Sequence, residues 1–345
     1  MVAMSGGVDS AAAAYLLKDR GTVAGVTMQL ADTPGTHREA SLRDIADAAA
    51  TCKALGIPHR VCELSDCFRR RVTIPFIKAY EAGLTPNPCV TCNKEIKFGA
   101  LLDFVTQAGF SHLATGHYAR IEQAGTGRYL LRRAKDGTKD QTYMLYTLTQ
   151  DVLSRVLLPL GELEKSEVRE IAAKAGLAVA SRGDSQDICF IPDGDYAAYI
   201  CAHSTTIPQK GAFISPDGRV LGEHQGLIHY TVGQRKGLGI ALGKPAFVLS
   251  KSVSDNTVTL GEDAALYSTR LTVKNINLIP YDRLNGHMLL YAKARYRQAA
   301  APARVEQTGE DELTVEFKIP QRAIAKGQSL VLYDGDYVIG GGIIQ

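Results

Sequence analysis

A short segment rich in glycine and serine near the start of the chain carries the strongest chemical signal. Residues 5–10 read Ser-Gly-Gly-Val-Asp-Ser, after an apolar stretch and before an alanine-rich one. Glycines permit a tight turn and a close approach of the backbone to a ligand. The N–H groups and the dipole at a helix start attract anions. The pattern predicts a phosphate-binding loop, but it lacks the lysine of loops that hold a transferable γ-phosphate.

Two further motifs contain cysteines whose surroundings favour chemistry. Cys89 and Cys92 form a C-x-x-C pair within the proline-rich segment 85–99, which we expect to be an exposed loop. A helix start after Cys92, together with nearby lysines, is expected to lower the pKa of its thiol. Cys189 follows the sequence Asp-Ser-Gln-Asp-Ile. No second cysteine pair follows at zinc-finger spacing, so a zinc site is not favoured.

The elements that must position these motifs alternate between strand and helix over the first half of the chain. This alternation predicts a parallel sheet wrapped by helices, a Rossmann-like α/β domain with the loop at a strand end. The predicted strands are 2–4, 23–30, 59–64 and 112–115, the hairpin is 118–133, the polar loop is 31–40, and the helices are 10–20, 41–55, 68–82, 99–108, 149–157, 165–175 and 195–202.

Past residue 204, short alternating runs separated by Gly, Pro, Asn and Asp replace the helical pattern. We therefore predict three domains. Residues 1–203 form the α/β domain, residues 204–265 a small mixed α/β domain, and residues 266–345 a C-terminal β-barrel.

Composition narrows the class of protein without naming an activity. The net charge of +3 permits nucleic-acid binding but does not require it. No apolar run reaches the roughly 18 residues that a membrane-spanning helix needs, and no export signal is visible at the start. We expect a cytoplasmic protein without a membrane partner. Its seven cysteines then point to metal, redox or nucleophilic roles rather than a disulfide framework.

Taken together, the motifs resemble those of a known family. The loop at 5–10 resembles the PP-loop of ATP pyrophosphatases, and the whole chain is similar to the bacterial tRNA-specific 2-thiouridylases. The matching motifs, in the family's order, are SGGVDS (5–10), TPNP with CN-K-IKFG (85–99), ATGHYAR (114–120), KDQ-Y (139–143), DSQ-ICFI (184–191) and YT-GQRKGLG (230–239).

The resemblance implies a role for individual residues. Cys92 resembles the nucleophile and Cys189 the persulfide carrier. The ATP-binding positions would be Ala3, Met4, Ser5, Gly6, Gly7, Val8, Asp9, Ser10, Met28 and Gly116. The positions facing the target base would be Asn87, Pro88 and Cys89. The tRNA-binding positions would be His117, Lys139, Asp140, Gln141, Arg295, Tyr296 and Gln328.

The implied reaction uses ATP and Mg²⁺ to adenylate the C2 oxygen of the wobble uridine in tRNAs for Lys, Glu and Gln. Sulfur would come from a cysteine-desulfurase relay as a persulfide on Cys189. It would attack C2 directly or after release by Cys92, and the two cysteines could finish as a disulfide bond.

One departure from the family and two other functions stay open. Some members have Asp where this chain has Cys89, so Cys89, Cys92 and Cys189 could instead hold a [4Fe-4S] cluster, as in related RNA thiolases. The chain could also be another adenylating enzyme, such as an amide-forming synthetase, although no amidotransferase module is visible. A non-catalytic RNA-binding paralogue is the remaining alternative.

Overall fold

The computed structural model describes residues 1–30, 36–181, 188–191 and 194–345, which pack as two compact units. The described parts of 1–72, 89–186 and 335–339 form the first unit, and those of 73–88, 187–334 and 340–345 form the second. The helices are α1 (Val8–Leu17), α2 (Thr36–Ala54), α3 (Ser65–Phe68), α4 (Ile74–Glu81), α5 (Pro88–Cys92), α6 (Leu101–Gln107), α7 (Gln150–Ser154), α8 (Lys165–Lys174) and α9 (Tyr196–His203). The strands are β1 (Val2–Ala3), β2 (Gly25–Gln29), β3 (His59–Glu63), β4 (Leu113–Ala114), β5 (Arg120–Gln123), β6 (Tyr129–Arg132), β7 (Val156–Leu157), β8 (Gly211–Ile214), β9 (Val220–His224), β10 (Phe247–Ser252), β11 (Thr257–Gly261), β12 (Tyr267–Leu278), β13 (His287–Lys293), β14 (Ala301–Gly309), β15 (Glu312–Arg322), β16 (Ser329–Asp334) and β17 (Tyr337–Ile344).

A five-stranded parallel sheet forms the centre of the first unit, which confirms the predicted α/β class. Its strand order is β3-β2-β1-β4-β7. Val2 of β1 lies opposite Gly25 of β2 on one side and Ala114 of β4 on the other. The chain passes from β1 to β2 on one side of β1 and later adds β4 on its other side. Where the strand order reverses in this way, the carboxyl ends of the two adjacent strands, β1 and β4, border a crevice.

Helix α1 packs on this sheet through alanines. Ala12, Ala13 and Ala14 have no exposed surface and contact Val2 and Met4 in one apolar cluster. Small side chains let the helix axis approach the sheet closely, and close-packed cores tolerate added volume poorly. The start of α1 is therefore held firmly beside the end of β1.

The helical region that carries Cys89 and Cys92 begins earlier than predicted. Helix α5 starts at Pro88, π-helical turns follow at Asn93–Ala100, and α6 completes the run. Proline suits the first helical position because the N–H group it lacks has no partner within the helix there. The predicted start near residue 99 is wrong, and so is the prediction that a helix starts after Cys92.

Other element boundaries also differ. Helix α1 starts at Val8 rather than at residue 10, and α2 starts at Thr36 rather than at residue 41. Residues 31–35 of the predicted polar loop lie outside the described residues. The predicted helix 149–157 ends at Ser154, because Val156 and Leu157 instead pair with β4 as the edge strand β7. Hydrophobic periodicity cannot separate strand from helix over so few residues.

The second unit contains a four-stranded sheet of order β10-β11-β8-β9 and the predicted C-terminal barrel. Strands β12 to β17 form the barrel, which closes where β12 pairs with β17, Val273 opposite Ile344. Alternate residues of β15, namely Leu313, Val315 and Phe317, point into its core. Within the described ranges, no helix is long and apolar enough to cross a membrane.

Candidate active site

The segment 5–10 forms a tight loop between β1 and α1. Ser10 Oγ accepts a hydrogen bond from the Ser5 N–H group at 3.1 Å and donates one to the Gly7 carbonyl oxygen at 3.0 Å. Gly6 has a φ of 70°, a conformation that glycine adopts without strain. Gly7 caps α1 without a side-chain hydrogen bond. The first turn of α1 thus offers N–H groups and the positive end of the helix dipole to an anion.

The ATGH turn after β4 packs directly on this loop. A Cβ atom added at Gly116 would lie 2.8 Å from the carbonyl carbon of Asp9 and 2.9 Å from the nitrogen of Ser10. Only glycine fits such a contact between two backbones. The half-buried Met28 lies near the carboxyl end of β2. The predicted ATP-binding residues therefore gather at the carboxyl ends of β1, β2 and β4.

Sequence reasoning missed two residues that contact Asp9. Lys165 Nζ lies 2.7 and 2.8 Å from the two carboxylate oxygens, and the Tyr118 hydroxyl donates a hydrogen bond of 2.7 Å to one of them. The lysine side chain is only 11% exposed. Its Nζ also lies 5.7 Å from the centre of the Tyr118 ring, where an ammonium is attracted by the π-system. The three side chains form one cluster at the mouth of the loop.

The position of Lys165 follows from the start of α8. Glu164 and Glu167 form a reciprocal capping box, and the Lys165 N–H group donates a 3.1 Å hydrogen bond to Asp136. Burial opposes the ionisation of Asp136, but hydrogen bonds from Thr138 and Lys165 outweigh it and lower its pKa. The Glu-x-x-Glu spacing is the sequence signal that could have identified this helix start.

The KDQ segment, predicted to contact tRNA, makes internal hydrogen bonds. Gln141 Oε1 accepts one from the Tyr118 N–H group at 2.9 Å. Asp140 accepts hydrogen bonds from the Ala134 N–H group and the Thr142 hydroxyl. The neighbouring Lys139 is half-buried. These contacts show that the segment shapes the loop that holds Tyr118.

The surroundings of His117 disfavour its charged form. Burial lowers its pKa well below the ordinary value, and Lys97 lowers it further. Its Nδ1 atom lies 2.8 Å from the Thr115 hydroxyl oxygen, and its ring is 5.7 Å from that of Phe98. A neutral imidazole can donate or accept a hydrogen bond, but it does not bind phosphate as a cation.

Cys89 and Cys92 lie in a helical run, half-buried and buried respectively, rather than in the predicted exposed loop. Cys92 is 8% exposed within the helical run, and Pro88 is buried as well. Burial raises the pKa of the Cys89 thiol, which Lys97 only partly offsets. The adjacent Asn93 donates a hydrogen bond to the Met144 carbonyl, while its own Oδ1 is buried without a hydrogen-bond partner among the described residues.

Cys189 lies in the second unit and is exposed. The next residue, Phe190, packs against the rings of Phe76 and Tyr199 at 5.5 and 5.2 Å. This aromatic contact fixes the short described stretch that carries the thiol. The preceding part of the motif, residues 184–187, lies outside the described residues.

The predicted cluster ligands do not form a metal site in the described part of the chain. Among those residues, no group of three or more His, Cys, Asp or Glu side chains could hold a metal ion. The cysteines are all described, and none takes part in a disulfide bond.

Two predicted tRNA-binding side chains of the second unit hold backbone segments in place. Gln328 Nε2 donates to the Thr85 carbonyl oxygen at 2.8 Å, beside Asn87 and Pro88. Arg295 Nη2 donates to the carbonyl oxygens of Val232 and Ala323 at 2.9 and 2.7 Å. The neighbouring Tyr296 has Lys293 Nζ 5.4 Å from its ring centre.

Comparison with known proteins assigns the chain to a family. Residues 1–193 match the tRNA methyl transferase HUP domain, residues 199–262 the tRNA methyl transferase PRC-barrel domain, and residues 268–344 the aminomethyltransferase β-barrel domain. The tRNA-specific 2-thiouridylase MnmA of Clostridioides difficile is 47% identical over 100% of this chain and 97% of its own length.

A second relative belongs to the same family, and a solved structure resembles part of the chain weakly. The tRNA-specific 2-thiouridylase MnmA 2 of Clostridium tetani is 48% identical over 100% of this chain and 98% of its own. The structure of NMN synthetase from Francisella tularensis matches 53% of this chain and 65% of that chain, with 18% identity and a TM-score of 0.33. So low a score carries no argument about the fold.

Proposed function

The chain belongs to the tRNA-specific 2-thiouridylase family, and from this premise we propose how its residues carry out the reaction. As a tRNA-uridine 2-sulfurtransferase, it replaces the C2 oxygen of a uridine in tRNA by sulfur. We assign the target to the wobble uridine of tRNAs for Lys, Glu and Gln. The observation that carries the assignment of residues is the Asp9–Lys165–Tyr118 cluster at the mouth of the 5–10 loop.

The ATP site comprises residues 3–10, Met28 and Gly116. N–H groups of the loop and of the first turn of α1 bind phosphate oxygens of ATP. Lys165 is placed to bind the same phosphates, because an ammonium beside the loop stabilises the negative charge of the departing pyrophosphate. The Asp9 carboxylate would hold Mg²⁺ as an oxygen ligand, and the ion would supply charge neutralisation for the pyrophosphate.

The reaction has two stages, adenylation of the uridine and transfer of sulfur to it. The C2 oxygen of uridine forms a bond to the α-phosphorus of ATP, and the bond to pyrophosphate breaks. A persulfide on Cys189, supplied by a cysteine-desulfurase relay protein, provides the sulfur. The Cys92 thiolate attacks the Cys189 sulfur, so a disulfide forms and hydrosulfide leaves. Hydrosulfide attacks C2 and AMP leaves. An external dithiol then reduces the Cys92–Cys189 disulfide to two thiols and is itself oxidised to a disulfide.

The target base is assigned to Asn87, Pro88 and Cys89. Hydrogen bonds from Gln328 to the Thr85 and Pro86 carbonyl oxygens support this role, because they hold the loop that leads to Asn87. We assign tRNA contact to His117, to residues 139–141, to Arg295–Tyr296 and to Gln328. The internal hydrogen bonds of Gln141, Arg295 and Gln328 indicate that they also position other groups.

We also propose the division into domains 1–203, 204–265 and 266–345 and a cytoplasmic location. Matches to three family descriptions, at 1–193, 199–262 and 268–344, support the division. The substrate, tRNA, is a water-soluble molecule, which supports the cytoplasmic location.

Thiolation of an unmodified tRNA-Lys transcript tests the proposal. With ATP, Mg²⁺ and a persulfide source, nucleoside mass spectrometry should detect 2-thiouridine in the wild type but not in Cys92→Ser. Cys189→Ser should fail with a protein persulfide donor yet retain activity with free sulfide. Cys201→Ser, another exposed thiol of the second unit, is the matched control and should be fully active.

The other outcomes distinguish the alternatives. Cleavage of ATP to AMP and pyrophosphate without sulfur incorporation would contradict the sulfur-transfer roles and leave only the adenylating activity. Binding of tRNA without ATP cleavage would instead support a non-catalytic paralogue.

A further inference from the structure

Residues 235–246, here called the glycine-rich loop, are anchored by alternate side chains. Leu238 is 6% exposed, and Ile240 and Leu242 pack against the apolar core of the four-stranded sheet in the second unit. Gly239, between the first two of them, and Gly243, directly after the last, are exposed. The apolar side chains fix the loop to the core, so its backbone faces outward in a defined shape.

The outward backbone offers hydrogen-bond donors. Among the described residues, no N–H group of the glycine-rich loop donates a hydrogen bond to another protein group. Gly237, Gly239 and Gly243 have φ values of 72°, 69° and 72°. Turns that contain such residues can bring successive N–H groups to one side and so form concave sites for anions.

The side chains around these donors are cationic. A cavity of about 320 Å³ is lined by the loop, including Arg235 and Lys244. Arg235 and the adjacent Lys236 are exposed and have no ion-pair partner within the part of the chain that the structure describes. Lys244 pairs with Glu262 at 2.6 Å, but both side chains are about 70% exposed, so water weakens this pair.

We propose that the glycine-rich loop binds phosphates of the tRNA backbone. Guanidinium, ammonium and backbone N–H groups are the donors that phosphodiesters receive in protein–RNA contacts. No aromatic side chain lines the cavity, so it lacks the stacking surface that a base or a nucleotide would use. The loop thus orients the RNA without reading its sequence. The inference rests on tRNA being the substrate, but on none of the residues assigned to catalysis.

Salt-dependent binding of unmodified tRNA-Lys transcript to the full-length protein tests this site. The double variant Arg235→Ala/Lys236→Ala should bind tRNA about tenfold more weakly at low salt. The slope of log affinity against log salt concentration is negative, and its magnitude should decrease by about 1 to 2. Each lost phosphate contact is expected to reduce that magnitude by roughly 0.7–0.9. Arg235→Lys/Lys236→Arg should bind like the wild type.

Lys210→Ala is the matched control, since Lys210 is an exposed lysine of the same unit that pairs with Glu223 at 3.2 Å. An unchanged affinity and slope in the double variant would overturn the proposal, and so would an equal loss in Lys210→Ala. A raised KM for ATP with unchanged tRNA binding would assign the loop to nucleotide phosphate instead. At saturating tRNA the double variant should still make 2-thiouridine, so the result is independent of the catalytic assignments.

Discussion

At the scale of single residues, the chemistry of the loop depends on which groups surround Asp9. Lys165 and Tyr118 come from distant parts of the chain, yet both contact the carboxylate. Lys165 is held by its own helix start and by the ring of Tyr118, so it keeps one position with little exposed surface. Because the Lys165 ammonium already occupies this position, little reorganisation of the protein is needed when negative charge develops on a phosphate.

Replacement of Lys165 tests this assignment. Lys165→Met should lower the rate of pyrophosphate release by about 100-fold or more, because a charged donor to the developing negative charge is lost. Lys174→Met, on the same helix with an exposed ion pair to Glu170, should act like the wild type. The readout is tRNA-dependent pyrophosphate release. Wild-type release by Lys165→Met would rule out contact between Lys165 and the reacting phosphates.

At the scale of elements, the proposed ATP site depends on how closely two loops pack at the carboxyl edge of the sheet. The turn after β4 contacts the start of α1 where Gly116 meets Asp9 and Ser10, and no side chain fits between the two backbones. In the second unit, the turn at residues 326–328 holds the segment 84–86 in a similar way. There Gln328 binds carbonyl oxygens, and the Thr85 N–H group donates to the Lys326 carbonyl oxygen at 2.9 Å.

A single methyl group at Gly116 should displace the loop. Gly116→Ala places Cβ within 3 Å of backbone atoms that cannot move aside independently, and we expect the KM for ATP to rise about tenfold or more with a lower kcat. Gly137→Ala is the matched control, because nothing lies within 4 Å of its added Cβ. Steady-state kinetics with varied ATP provide the measurement. Equal kinetic constants for the two variants would contradict the packing argument.

At the scale of the whole molecule, three histidines that are wholly or partly buried link stability to pH. Burial lowers the pKa values of His59, His117 and His224 below 6.5. In the unfolded chain these groups gain a proton near pH 6.5, whereas in the folded protein they gain it only at lower pH. The unfolded state therefore binds more protons below pH 6.5, and stability falls as the pH drops toward the folded pKa values.

This linkage predicts a measurable effect of His117. The free energy of unfolding should fall as the pH is lowered from about 7.5 to 5.5, by up to about 1.4 kcal/mol per pH unit for each such histidine. His117→Gln should make this pH dependence shallower, whatever its effect on stability at pH 7.5. His203→Gln, at an exposed position, should not. Denaturant unfolding at several pH values gives the comparison, and an unaltered slope in His117→Gln would refute the assignment.

The sequence alone was enough to predict the tight loop at residues 5–10, the parallel α/β class, the C-terminal barrel and the family. These features depend on local patterns: glycines at a strand–helix junction, alternating apolar periods, and motifs in a fixed order. Three features became known only from the fold: the helix carrying Cys92 begins at Pro88, residues 156–157 form a sheet edge, and Lys165 and Tyr118 contact Asp9. Helix starts and two-residue strands depend on tertiary partners, and no local period encodes a contact between residues more than 100 positions apart.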